Sequence, residues 1–83
     1  MLSKEEIFNQ VKSILVEMFG FAPEAIRPET QLVEELDFDS IDALNLSSKL
    51  DSVFDQKLGP QTFRDIHQVQ DVVNTLAKMQ EEA

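Results

Sequence analysis

An all-α fold, a small four-helix bundle of three main helices plus one short one, is what this chain predicts. Apolar residues recur at helical spacing in three segments, period-two alternation is absent, and capping residues stand where two of the stripes begin. In the first segment Ile7, Val11, Ile14, Leu15 and Met18 fall on one stripe. Ser3 and Glu6 form a capping-box pattern at its start, and Gly20 is placed to end it. Residues 20–39 then form a long loop between the first two helices, with Pro23 and Pro28 inside it. A loop of that length in a small domain is usually functional or else disordered. Phe21, Ile26, Leu32 and Leu36 can plug the core, which favours an ordered, packed loop. The second helix is predicted from about Ser40 to Phe54, with Asp39 as N-cap and Asp42 in the first turn, where negative charge is favoured. Leu46, Leu50 and Phe54 recur every fourth residue, and Ala43 and Val53 widen the stripe. Gly59 and Pro60 break the chain. Residues 62–66 suit one short helical turn, with Thr62 and Asp65 as its capping pair. The last helix carries Val69, Val72, Val73, Leu76 and Met79 on one face. It starts near His67 and Gln68 without an evident cap, and its tail, residues 80–83, should fray.

The 83 residues make one domain, 1–83. Folding at this size hides roughly 60–65% of the unfolded surface, so the core is thin and stability modest. The lack of Cys removes a disulfide framework and thiolate metal sites, in keeping with a reducing compartment. No apolar run reaches the ~18 residues of a membrane span, and no apolar region of a signal peptide opens the chain. A cytoplasmic, monomeric protein is expected.

The net charge of -9 is concentrated. Residues 1–28 and 56–83 each carry -1, whereas residues 29–55 carry -7, with Lys49 as the sole cation among eight carboxylates. Such a field repels nucleic acid and anionic lipid and attracts basic protein surfaces. A run of charge is often no more than a solubilising face, but here it is centred on one serine, in "ELDFDSIDAL".

Several chemistries fail on spacing. Counted from Asp37, a calcium-binding loop of the EF-hand type would need Gly at Asp42 and Glu at Ser48. A serine nucleophile needs a base, and none lies beside Ser40; the single histidine, His67, is far along the chain. A helical chain of this length has little with which to bury a catalytic triad or build an oxyanion hole. There is no Gly-rich phosphate loop, and the scattered basic residues leave no nucleic-acid footprint.

What remains is a serine that another protein modifies. At the first turn of a helix, directly after a loop, the Ser40 hydroxyl points outward. A phosphate attached there meets the positive end of the helix dipole, worth roughly 0.3–1 kcal/mol at an exposed site. The neighbouring carboxylates oppose that gain and keep whatever is attached mobile.

"DFDSIDALNL" resembles the Asp-Ser-Leu/Ile motif of acyl carrier proteins, whose serine carries 4′-phosphopantetheine. The similarity extends from "TQLVEELDFDSIDALNLSSKLDSVF" to "TFRDIHQVQDVVNTL", in the family's order. The resemblance implies that Ser40 is the attachment site, loaded by a phosphopantetheinyl transferase, with Asp39 the acidic residue before it. It implies a carrier, not a catalyst, that holds acyl groups as thioesters and presents them to acyl-loading and chain-extending enzymes of fatty-acid or polyketide type. In that family the second helix docks on basic patches, which makes Glu35, Asp39, Ile41, Asp42 and Asp51 the docking candidates. An apolar cargo needs cover, and each buried methylene is worth up to ~0.8 kcal/mol. Leu46, Leu50, Phe54, Ile66 and Val69 are candidates to line such a groove, although ordinary core packing accounts for each of them. Departures from the common pattern fall at Asp37, Phe38, Ile41, Asn45 and Lys49, and the form of the motif, with "KLGPQTFRDI", is closer to carriers of specialised pathways. Two other readings stand beside it: a carrier of aminoacyl cargo, and an acidic helical interaction module without a prosthetic group.

Overall fold

The computed structural model describes residues 2–55 and 66–82. The chain break at Gly59 and Pro60 and all but Ile66 of the short turn expected over residues 62–66 lie outside them. Among the described residues four helices follow in order: α1, Lys4–Phe19; α2, Leu32–Leu36; α3, Ser40–Phe54; and α4, Val69–Glu82.

α1 begins as its capping residues dictate. The Glu6 amide donates to Ser3 Oγ at 3.2 Å, and the Ser3 amide donates back to Glu6 Oε1 at 3.2 Å. The helix stops at Gly20, whose φ of 73° suits a residue without a Cβ. Ile7, Val11, Ile14 and Leu15 are buried as the stripe requires, but Met18 is exposed. At that end of α1 the core contact passes to Phe19, whose ring lies 5.2 Å from Phe38 in an edge-on arrangement and 5.7 Å from Phe21 in a stack.

The connection from α1 to α3 is more structured than its prolines imply. It holds one 3-10 turn, Pro23–Ala25, and the five-residue α2. Ile26 and Leu32 are buried, and Phe21 and Leu36 pack against the core, as expected of the loop's apolar anchors. Thr30, 4% exposed, organises the turn: its Oγ1 accepts from the Arg27 amide and donates to the Ala25 carbonyl, both at 2.9 Å. The segment is also tied to the start of α4. The Leu32 amide donates to His67 O at 2.8 Å, Val69 to Thr30 O at 3.0 Å, and Gln70 to Pro28 O at 2.8 Å. These bonds leave one isolated antiparallel bridge, Gln31 to Gln68.

α1 packs on α4 and on α3, and the three close over one core. Leu46 and Leu50 of α3 and Val69, Val72, Val73 and Leu76 of α4 are all buried in it. Each such side chain contributes roughly 1.5–3 kcal/mol by leaving water. Val53, expected on the α3 stripe, is instead exposed, while Phe54 covers that edge half-buried. Nor does α4 fray from residue 80. Gln80 bonds to Leu2 through both amide atoms, its Oε1 accepting from the Leu2 amide at 3.0 Å and its Nε2 donating to Leu2 O at 3.1 Å.

Candidate functional site

Ser40 is exposed and is the first residue of α3. Its position follows from the four residues before it. Asp37 ends α2 in a left-handed conformation, φ 54°, and so turns the chain sharply. Asp tolerates that region better than most side chains do. The turn sends Phe38 inward, 5% exposed against the Phe19 ring, with its amide donating to Leu32 O at 3.1 Å. Asp39, extended at φ -104° and ψ -177°, then brings Ser40 out onto the surface.

The helix start is self-sufficient. Asp39 Oδ1 accepts from the Asp42 amide at 2.8 Å, and Asp42 Oδ2 accepts from the Asp39 amide at 3.2 Å. Asp42 thus takes the role that Glu or Gln usually fills in a capping box. The remaining orphan amides of a first turn favour a negatively charged group beside them. These are the features a phosphoester on Ser40 Oγ needs: a hydroxyl reachable by another protein, a helix end of favourable polarity, and a backbone already capped without the serine.

The carboxylate candidates divide. Glu35 and Asp39 are exposed, and Glu35 Oε2 accepts from the Gln31 amide at 2.6 Å. Asp42 and Asp51 are only half-exposed, so neither leads the outward face of α3. That face carries Ile41, 66% exposed, and Leu44, 52%, with Val33 of α2 at 64%. Leu44 and Val33 are surface residues that the sequence reading missed. A helical wheel signals Leu44, because it falls well away from the direction of Leu46 and Leu50. Nothing in the pattern of so short a helix as α2 signals Val33.

Of the groove candidates, Leu46, Leu50, Ile66 and Val69 are buried members of the single core, and Phe54 packs half-buried against it. Ile66 is the one residue of the expected 62–66 turn that is described, and it enters the core outside any helix. His67 is exposed, with its amide held by Asp71 Oδ2 at 2.9 Å. Among the described residues no three His, Asp or Glu side chains are grouped to hold a metal ion, and no helix is long and apolar enough to cross a membrane.

Comparison with known proteins bears on the same residues. Residues 9–76 match the protein family described as "Phosphopantetheine attachment site". The chain is 35% identical over 78 residues to acyl carrier protein 2 of Ralstonia nicotianae, covering 94% of this chain and 96% of that one. The acyl carrier protein of Thermotoga maritima gives the same identity and coverage. The meromycolate extension acyl carrier protein of Mycobacterium leprae is 28% identical over 81 residues, 98% of this chain and 70% of that one.

Proposed function

The chain belongs to the acyl carrier protein family, and on that premise we propose that Ser40 is the residue that receives 4′-phosphopantetheine. An acyl carrier role and a phosphopantetheine prosthetic group come with the family. The observation that carries the assignment to Ser40 is its place: an exposed hydroxyl at the first turn of α3, inside the matched region, next to a capping box that does not use it.

When attached, the arm supplies a thiol that holds acyl groups as thioesters. This chain's own residues present and insulate. Asp39 and Asp42 fix the helix start, so the tether point is rigid. Their charge, with that of Glu35, disfavours collapse of the arm's phosphate onto the protein. The carboxylates nearest Ser40, Asp39 and Asp42, are engaged in the cap, so the proton of the hydroxyl is left for the transferase to take. The hydroxyl oxygen forms the new bond to phosphorus as the pyrophosphate bond of coenzyme A breaks and the adenosine bisphosphate leaves. Carriage without catalysis by this chain fits that division of labour.

Docking centres on the exposed Ile41 and Leu44, with Glu35, Asp39 and Asp42 around them meeting basic groups of the partner. Charge steering of this kind raises on-rates without demanding tight binding, which suits a carrier that must also leave. Leu46, Leu50, Phe54, Ile66 and Val69 shelter an apolar cargo only if the helices part, since four of the five are fully packed.

Incubation of the apo-protein with coenzyme A and a broad-specificity phosphopantetheinyl transferase adds one phosphopantetheine by intact mass. Ser40→Ala abolishes that gain and leaves the helical circular dichroism unchanged. Undiminished loading of the alanine variant would move the site elsewhere. A wild-type chain refused by several transferases would favour an interaction module without the arm.

A further inference from the structure

The outward face of α3 departs from the acidity around it. Beyond Ser40 its exposed positions are apolar at Ile41, Leu44 and Val53, uncharged at Asn45 and two serines, and cationic at Lys49. The two carboxylates of the helix, Asp42 and Asp51, are half-buried, and Asp42 is engaged in the cap. Five of the eight carboxylates of residues 29–55 lie before α3: Glu29 ahead of α2, Glu34 and Glu35 on it, and Asp37 and Asp39 in the turn that precedes Ser40. Lys49 is the sole cation of that block.

Its placement is specific. Lys49 follows Asp42 by seven residues, two helical turns or about 10 Å along the same flank of α3. No carboxylate stands three or four positions away within the helix, where Asn45, Leu46, Ser52 and Val53 are found. An intrahelical ion pair therefore does not account for it. A surface that approaches Ser40 along α3 meets negative charge at the near end and positive charge two turns further on.

We propose that Lys49 selects the partner: the enzymes this carrier serves place a basic group near Ser40 and a carboxylate opposite Lys49, and surfaces basic along the whole contact are disfavoured. The inference rests on Ser40 as the attachment site, because that is what brings partners to this end of the molecule. A rim charge acts chiefly on association rate and salt dependence, and like charges brought together reject wrong partners.

The probe is a phosphopantetheinyl transferase whose contact surface is lined with Lys and Arg, with coenzyme A. Loading is followed for the wild-type chain, Lys49→Gln and Lys49→Glu at low and moderate salt, after matching their circular dichroism. We expect kcat/KM to rise about two- to fivefold at each step from Lys to Gln to Glu at low salt, with kcat nearly constant. The differences shrink as salt is added. Single Lys or Arg→Glu changes across the transferase surface should include one that speeds loading of the wild type and slows that of Lys49→Glu. Equal rates for all three chains at low salt, with the wild type fully loaded, overturn the role of Lys49 and leave Ser40 standing. Slower loading of Lys49→Gln overturns it as well. No mass gain on the wild type overturns the Ser40 assignment, and this inference with it.

Discussion

The two halves of the connection between α1 and α3 are held by different physics. The first half, residues 26–32, is tied to a distant part of the chain. Backbone bonds run from Leu32, Thr30 and Pro28 to His67, Val69 and Gln70, and Thr30 fills the turn from within. The second half, residues 37–42, is tied to itself and to Leu32, six positions before Phe38. Its bonds join Phe38 to Leu32 and Asp39 to Asp42, and its hold on the core is the Phe38 ring. A segment built this way suits the modification proposed for Ser40. Its shape survives handling because its polar bonds are local, and the bundle is undisturbed because little of the bundle's hydrogen bonding passes through it.

If the Ser40 end hangs on one side chain, removing that side chain is the most damaging change. Phe38→Ala should cost about 3–5 kcal/mol, the range for a buried aromatic truncated to Ala. A shift of the urea midpoint at constant slope measures it. A loss below about 1 kcal/mol would mean that the local bonds suffice without the ring. Thr30→Val probes the other half. It keeps the shape and removes the hydroxyl that serves the Arg27 amide and the Ala25 carbonyl, and should cost about 1–3 kcal/mol for polar groups left unpaired. The loading proposed for Ser40 is expected to persist in Thr30→Val, since the turn at residues 37–42 does not depend on that network.

Much of this was legible in the residues, and what was not has a physical reason. Capping residues act over three or four positions, so Ser3, Gly20 and Asp39 announced the ends of α1 and the start of α3. The buried stripes were legible through their spacing, except where a helix end changes neighbours, as at Met18 and Val53. α2 was not legible: five residues make too little periodicity to register, and it is held by the turn at Asp37 and by bonds to a segment over thirty positions away. The placement of Ser40 was legible because a helix start among acids is a local feature, and it is indeed exposed as the first residue of α3. The charge of the outward face of α3 was not legible, because composition counts carboxylates without saying which way they face; Asp42 and Asp51 are half-buried, and Lys49 is exposed.

The smallest expected effect tests the link between the two halves. The start of α4 lacked an obvious N-cap in the sequence, and Asp71 supplies one from inside the helix. Its Oδ2 accepts from the amides of His67 and Gln68, each at 2.9 Å. The bonds from Gln68 and His67, in that order, hold the Asp71 carboxyl below its ordinary pKa, and the nearby His67 charge adds to them. A carboxylate with a lowered folded pKa stabilises the fold above the ordinary aspartate value of about 3.9 and withdraws that support as the pH falls through the folded value. Asp71→Asn should therefore lose about 0.5–1 kcal/mol near neutral pH, after allowance for screening at an accessible carboxylate. The gap between variant and wild type should close as the pH drops below about 4. Because His67 O accepts the Leu32 amide, amide exchange in the variant should quicken at Leu32 and Val69. The amides of Asp42 and Ala43, beside Ser40, should keep their wild-type rates. Equal acceleration at both places would show that the two halves open together, and that the serine's end is less self-contained than its capping bonds make it.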